Sequence, residues 1–392
     1  MEDFKNREFS IIIGADILPT PSNCDLFSQG KVTALLGNEL WQIINNADFR
    51  VFNLEGPLID DKSPILKAGP VLKAPEASIT GLKAMGTDLL SLSNNHILDH
   101  GAIGVRRTLK LAKEKNIACV GVGVSQKERS QAFFFQKNSV RVGIYSCCEH
   151  EESVVPEGEY GANPYDTFYS YDDVRNFKKE CDYLIILYHG GKEHFRYPSP
   201  MLMRRFRRFA EMGADIVIAQ HTHCIGSYEY YKNSLLLYGQ GNFIFDRVDN
   251  EFADNGLLLE ITFGTDSVSG YRYRFVPVQK QKNVVRLAND KTAENILNSL
   301  EKRSLKLQDE AFIQEEYNKK ADEYITNYLL CFHGHPWIGK LLKIIFRGKL
   351  NKYINKCVYS NKTIARIKNY ISCEAHQELL LTGLNRVIAK KQ

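Results

Sequence analysis

Short apolar runs in this chain end abruptly in polar side chains, and the pattern repeats. Residues 9–13, 48–54, 89–93, 181–188 and 215–219 are each a few residues long and rich in Ile, Leu, Val and Phe. Runs of that length and composition predict buried β-strands. Each then breaks into ligand-type residues. Asp16 follows the first after Gly14 and Ala15, and Asn53 and Glu55 close the second before the turn Gly56-Pro57. Asn94, Asn95, His96, Asp99 and His100 crowd behind the third, His189, Glu193 and His194 behind the fourth, and Gln220-His221-Thr222-His223 behind the fifth. In open α/β sheets ligands bind just past the carboxyl ends of the strands. Polar groups gathered at all these ends point to one shared site.

Helical spacing separates the strands at 35–46, 77–85, 103–115, 172–180 and 199–212. Hairpins are predicted where 132–136 meets 140–146 through Lys137-Asn138-Ser139, and where 228–231 meets 235–238 through Lys232-Asn233-Ser234. Residues 257–263 and 271–278 read as the last strands. Beyond about residue 280 the alternation fades and helical runs take over, at 292–303, 308–330, 337–347, 363–371 and 376–390. The expected organisation is an α/β domain over residues 1–280 and a basic, mainly helical extension over 281–392.

Composition refines this picture. With 392 residues, 44% of them apolar and 25% charged, the chain can build a sizeable core. Nine cysteines without a C-x-x-C pair fit reduced thiols in a cytoplasmic protein better than a disulfide framework. The N-terminal stretch MEDFKNREFSIIIG lacks the pattern of a secretory leader, and no run approaches the ~20 apolar residues of a membrane span. A cytoplasmic location is the expectation. The net charge of +5 is uneven: residues 281–392 carry 20 Lys+Arg against 11 Asp+Glu, and 324–373 hold nine basic residues and no acid. Basic segments gain ~1 kcal/mol per Lys or Arg near an anionic leaflet, and 337–347 is amphipathic. Peripheral contact with the inner membrane face is therefore weighed against a solvated helical subdomain. The run Arg204, Arg205, Arg207, Arg208 reads as a solvated helix face. No base-reading motif accompanies the charge, so nucleic acid is not an expected partner; the oligomeric state is left open.

The chemistry rests on Asp16, Glu55, Asn95, His96, His189, His221 and His223. Any one of them has an ordinary alternative: Asp16 can cap a turn, Glu55 can lie on the surface, and His96 can be a hydrogen-bonded core histidine. Together they form a carboxylate, amide and imidazole set that suits Zn²⁺, Mn²⁺ or Fe²⁺ rather than Ca²⁺. Two such ions ~3.5–4 Å apart activate water and hold an electrophile, and an unligated imidazole protonates a leaving group. Cys147 and Cys148 are adjacent on a predicted strand and so point to opposite faces, which disfavours both binding one ion. There is no G-x-S-x-G elbow and no Walker loop, so serine hydrolase and P-loop NTPase chemistry are not expected.

The order of Gly14-Ala15-Asp16-Ile17, Asn53-Leu54-Glu55-Gly56-Pro57, the run 92–101 (LSNNHILDHG), His189-Gly190-Gly191-Lys192-Glu193, His221-Thr222-His223 and Gly241-Asn242-Phe243-Ile244-Phe245 resembles one family. The chain is similar to bacterial capsule-synthesis proteins of the CapA type, the poly-γ-glutamate biosynthesis family, within the calcineurin-like metallophosphoesterase superfamily. The resemblance implies an α/β fold, a four-layer α-β-β-α sandwich with metals at the strand ends and a C-terminal helical extension outside the likeness. It implies that Asp16 and His223 bind one metal, that Asn95, His189 and His221 bind the other, and that Glu55 bridges. His96 then matches the catalytic histidine, and Glu193 a family glutamate at the site. Where the superfamily has Asp-x-His after the first strand, this chain has Asp16-Ile17-Leu18, so one or two divalent transition-metal ions are expected.

Two functional classes follow. One is a metal-dependent hydrolase of capsule or surface-polymer synthesis, acting on a phosphoester or amide of a polymer or its precursor. The other is a non-catalytic polymer-binding or scaffold component of a surface-polymer assembly system. Metal-dependent turnover separates them.

Overall fold

The computed structural model describes residues 8–245, 254–264, 269–332 and 361–372, with isolated positions between and beyond these stretches. Its strands are β1 (Phe9–Ile17), β2 (Phe49–Leu54), β3 (Leu89–Ser91), β4 (Ala118–Val120), β5 (Val122–Gly123), β6 (Phe133–Lys137), β7 (Val140–Cys148) and β8 (Gly161–Ala162). They continue with β9 (Tyr183–His189), β10 (Ile216–Gln220), β11 (Tyr228–Tyr231), β12 (Ser234–Leu237), β13 (Asn242–Ile244), β14 (Asn255–Phe263), β15 (Tyr271–Gln281) and β16 (Val284–Leu287). One sheet runs β16-β15-β14-β1-β2-β3-β4 with β13 paired to β1; the other runs β11-β12-β10-β9-β7-β6. β1 to β4 are parallel to one another, as are β7, β9, β10 and β12. Parallel neighbours bring their carboxyl ends to the same edge of each sheet, and that is where the polar residues lie.

Period-2 alternation sorts the apolar side chains into layers. Ile11 and Ile13 of β1, Val51 of β2 and Leu89 of β3 face Ile144, Ile185, Leu187, Ile216 and Ile218 of the second sheet. Ile12, Phe52 and Leu90 point the other way, against Leu35, Leu40, Ile44 and Val105 of the helices Val32–Leu36, Asn38–Asn46 and Gly101–Glu114. On the far side Tyr145, Ile186 and Val217 pack on Phe206 and Phe209 of the helix Pro200–Glu211. That helix starts where the sequence says it must: the Ser199 hydroxyl accepts from the Leu202 N–H at 3.1 Å, and Pro200 opens the first turn. Helices outside two facing sheets make the expected four layers. Each fully buried Ile, Leu or Phe contributes about 1.5–3 kcal/mol, so the layering follows from the alternation.

Several details differ from the sequence reading. The helix expected over 35–46 is two helices, broken at Gly37, whose φ of +73° ends the first turn. β16 is a strand past residue 280, where only helices were expected; the helical run read at 292–303 is the helix Asp290–Leu305, whose Ile296 and Leu300 pack on Ile225 and Leu257. Arg204 and Arg208 are exposed, but Arg205 donates to Glu149 at 2.8 Å and to the Tyr188 hydroxyl at 2.9 Å. Arg207 forms a bidentate pair with Glu229 at 3.0 Å, so half of the basic run is partly buried and paired rather than solvated.

The chain divides into two compact units, residues 1–314 and 315–392. The second unit holds the helix Asn361–Ser372. The amphipathic segment 337–347 lies outside the described residues, and only isolated helical positions of 376–390 are described. Among the described residues no helix is long and apolar enough to cross a membrane.

Candidate metal centre

Asp16 sits at the end of β1, where the pairing with β2 slips between Ile13 and Asp16 and the pairing with β13 slips between Asp16 and Ile17. Such bulges re-aim a side chain at a sheet edge. Glu55 follows β2 directly, Asn95 and His96 follow β3, His189 is the last residue of β9, and His221 and His223 follow β10. All of these are buried. His221 and His223 have φ of +90° and +51°, a left-handed backbone unfavourable for side chains larger than Gly. Two contacts hold them there: the His221 N–H donates to Asp16 Oδ2 at 3.2 Å, and His223 Nδ1 lies 2.8 Å from Asn242 Oδ1.

Around His189 the ligand-type atoms crowd closely enough to share an ion. His189 Nε2 is 2.9 Å from Asn95 Oδ1, 3.2 Å from His221 Nδ1 and 3.6 Å from Glu55 Oε1. Atoms each bound at 2.0–2.2 Å to one tetrahedral ion lie about 3.3–3.6 Å apart. The second group is Asp16, Glu55 and His223. His223 Nδ1–H donates to Asn242, which leaves Nε2 as the ligand atom, 3.7 Å from Glu55 Oε1. Glu55 belongs to both groups. A third, Glu193 with His221 and His223, adds a half-exposed carboxylate at the rim.

Charge states make the same point. Burial pushes the Glu55 carboxyl well above the usual range, reinforced by the negative charges of Asp16, Glu193 and Asp99. Among the described residues neither Glu55 oxygen has a hydrogen-bond partner. Burial also raises Asp16, with His223, Asn53 and the His221 N–H opposing. His189 and His221 are driven well below the ordinary histidine value, first by burial and then by the neighbouring imidazoles. Neutral imidazoles with free lone pairs beside carboxylates lacking a cation form a donor set that a divalent metal completes. The residues present fit such an ion.

His96 stands beside this cluster. Its Nδ1 is 2.7 Å from Asp99 Oδ2, and its backbone N–H donates to Asn94 Oδ1 at 3.1 Å. Lys67 Nζ, nearly fully buried, donates to Asp99 Oδ1 at 2.7 Å and to the Asn95 carbonyl at 3.0 Å. The loop carrying Lys67 is thus tied to both a cluster ligand and the histidine's partner.

The structure therefore gathers Asp16, Glu55, Asn95, His189, His221 and His223, with Glu193 against the two latter histidines and His96 alongside. Cys147 and Cys148 enter opposite cores, and burial holds both as thiols, pushing Cys148 up to about 12. The sequence reading missed the supporting partners. Asn53 donates to Asp16 Oδ1 at 2.7 Å, Asn95 Nδ2 donates to Glu151 at 3.0 Å, and Lys67 carried no signal in a proline-bearing loop. Asp99 was legible as part of a polar burst, Asn53 as a strand-end residue and Asn242 within the family motif, but their roles were not.

Two facing sheets with helices outside, and a buried imidazole–carboxylate–amide cluster at their common edge, define a four-layer α/β protein with a site able to hold divalent metal. The chain belongs to the bacterial capsule synthesis protein family PGA_cap, whose sequence profile matches residues 16–247 and so spans every residue of the cluster. It is 30% identical over 224 residues to the capsule biosynthesis protein CapA of Bacillus anthracis, a stretch covering 55% of this chain and 54% of that protein. It is 26% identical over 220 residues to the PGA biosynthesis protein CapA of Bacillus subtilis (strain 168), covering 55% of this chain and 58% of that one. The chain thus spans little more than half the length of these relatives. Among solved structures, a hypothetical protein from Thermus thermophilus aligns at 11% identity and a TM-score of 0.42, over 70% of this chain and 100% of that one. A 5'-nucleotidase precursor from the same organism aligns at 11% identity and 0.39, over 82% and 60%.

Proposed function

We propose that this chain is a metal-dependent hydrolase of capsule or poly-γ-glutamate-like polymer synthesis, cleaving a phosphoester or an amide of the polymer or its precursor. The observation that carries the reading is Glu55: a fully buried carboxylate, neither oxygen with a hydrogen-bond partner among the described residues, common to two ligand groups. Such a group must either take up a proton or be compensated by a cation. Asp16, Glu55 and His223 would hold one ion, and Asn95, His189, His221 and Glu55 another. Bound ions of this kind activate water and polarise the bond to be cut. The chain's own residues do the rest. Asp99 accepts from His96 Nδ1–H, which fixes the ring and leaves Nε2 to pass a proton to the leaving group. Lys67 holds Asp99 in place and screens its charge. Glu193, at the open side of His221 and His223, orients water or substrate entering the site.

The test is hydrolysis by metal-reconstituted protein of a panel of phosphoesters and γ-glutamyl amides, beside His96→Ala. Loss of a general acid costs about 10²–10⁴-fold, so turnover should fall by that amount in the variant. No turnover by metal-replete wild type, or equal rates in both proteins, would end the hydrolase reading. The scaffold reading is favoured by one observation: Leu18 is a buried apolar residue where the superfamily's Asp-x-His pattern supplies a ligand. Polymer binding that survives metal removal, without turnover, would select it.

A further inference from the structure

A polar cavity of about 440 Å³ is lined by none of the residues of the metal centre. Thr292, Asn295, Ser299 and Arg303 line it from one stripe of the helix Asp290–Leu305, at the i, i+3, i+7, i+11 spacing of a single face. Arg196 and Asn255 close the other side. The two arginines converge on one carbonyl: Arg196 Nη1 and Arg303 Nη2 both donate to the Ile225 oxygen at 3.3 Å, while Arg303 Nε donates to the Gly226 oxygen at 2.8 Å. Among the described residues neither forms an ion pair. Each guanidinium has five N–H donors, so most remain for an occupant. Burial and the charge of Arg196 bring Arg303 down to about 10. Two half-buried like charges held together without a counter-ion are unfavourable unless something negative joins them. The Asn255 side-chain oxygen is buried with no hydrogen-bond partner among the described residues, which asks for a donor from the same occupant.

The cavity is joined to the metal centre by a row of rings. The His223 and His194 rings are 6.2 Å apart, His194 stacks on Phe252 at 5.4 Å, and the Arg196 guanidinium lies over Phe252 at 4.8 Å. Ile225 is two residues after His223. A chain-like substrate with one bond at the metal cluster would follow this row and reach the cavity further along its length.

We infer that this cavity is a subsite for a carboxylate-bearing polyamide, with Arg196 and Arg303 taking the oxyanion and the Asn255 oxygen accepting an amide N–H. The inference rests on the reading of the chain as a polymer-handling protein, but not on turnover, and its test separates the two.

The experiment is calorimetric titration of chelator-treated full-length protein with γ-linked tri-glutamate, with inorganic phosphate as the control probe. Wild type should bind the tri-glutamate saturably without metal. Arg303→Gln and Arg196→Gln should weaken it about tenfold or more, the equivalent of one charge-assisted hydrogen bond. Arg303 also ties the helix to the 225–226 turn, so Ser299→Glu supplies a variant that leaves those bonds in place. Ser299 is exposed, and a glutamate there forms an i, i+4 pair with Arg303 that fills the subsite; binding should be lost with the melting temperature kept. His221→Ala should bind as wild type does. Absence of saturable binding, unchanged affinity in the three cavity variants, or binding lost in His221→Ala would overturn the inference. Equal affinity for inorganic phosphate would overturn the polyamide assignment. Failure of hydrolysis alone would leave it standing.

Discussion

Replacing Glu55 by Gln keeps the shape of the side chain and removes its charge. In metal-free protein the wild-type carboxylate is fully buried, has no hydrogen-bond partner for either oxygen among the described residues, and faces the negative charge of Asp16. A buried unsatisfied polar group costs about 1–3 kcal/mol, more when charged. Glu55→Gln should therefore be more stable than wild type in chelator, by roughly 2–12 °C at about 2–4 °C per kcal/mol. With metal the order reverses. An ion present at a hundred times its dissociation constant stabilises the native state by about 2.7 kcal/mol, and the variant should lose most of that gain. The pH dependence has a definite sign. The folded Glu55 carboxyl is raised above its unfolded value, so the burial cost is full above the folded value and is relieved as pH falls towards the ordinary glutamate range. The advantage of the variant in chelator should shrink in acid. Scanning calorimetry of both proteins, with EDTA and with Zn²⁺ or Mn²⁺, at neutral and mildly acidic pH, reads all three effects. A variant less stable than wild type in chelator, with an equal metal-induced shift, would refute the assignment of Glu55 as a ligand shared by both groups.

Other consequences are independent of that one. Lys67→Met leaves the buried Asp99 without its cation and should cost about 3–5 kcal/mol; an unchanged urea midpoint would show that Lys67 does not hold the loop. A Cβ at Gly256 would collide with the Asn242 carbonyl on the neighbouring strand. Gly256→Ala should cost about 1–3 kcal/mol and, by shifting the partner of His223, should weaken metal retention although residue 256 is no ligand; retention equal to wild type would count against that coupling. Asp173, half-buried in the helix Ser170–Lys178, is pushed up to about 6 by burial and then by Asp172. Its penalty is full above that value and fades towards 3.8, so Asp173→Asn should gain stability over wild type at pH 7 and lose the difference by about pH 4. A difference independent of pH would contradict this.

The strands that carry the cluster were legible because a buried strand and a ligand-bearing strand end are both written locally. An apolar run of a few residues stops, and Asp16, Glu55, Asn95, His189 or His221 follows within the next few positions. The supporting shell was not written locally. Lys67 reaches Asp99 across 32 residues, Asn53 reaches Asp16 across 37, and Arg205 reaches Glu149 across 56. Nothing in a loop with prolines, or in a run of arginines, says which distant carboxylate will meet it. Residues 35–46 failed for a different reason: helical spacing continues through Gly37, but the backbone there turns left-handed. The fading of strand alternation near 280 likewise hid β16, an edge strand with one buried residue among its four.

The central claim is that the buried cluster holds divalent metal, and metal content per chain is its most direct test. Protein purified without chelator, wild type beside His221→Ala, should be measured by elemental mass spectrometry. One or two transition-metal ions per wild-type chain, reduced in the variant, is the predicted result. No bound metal in wild type, even after reconstitution with Zn²⁺, Mn²⁺ or Fe²⁺, would contradict it.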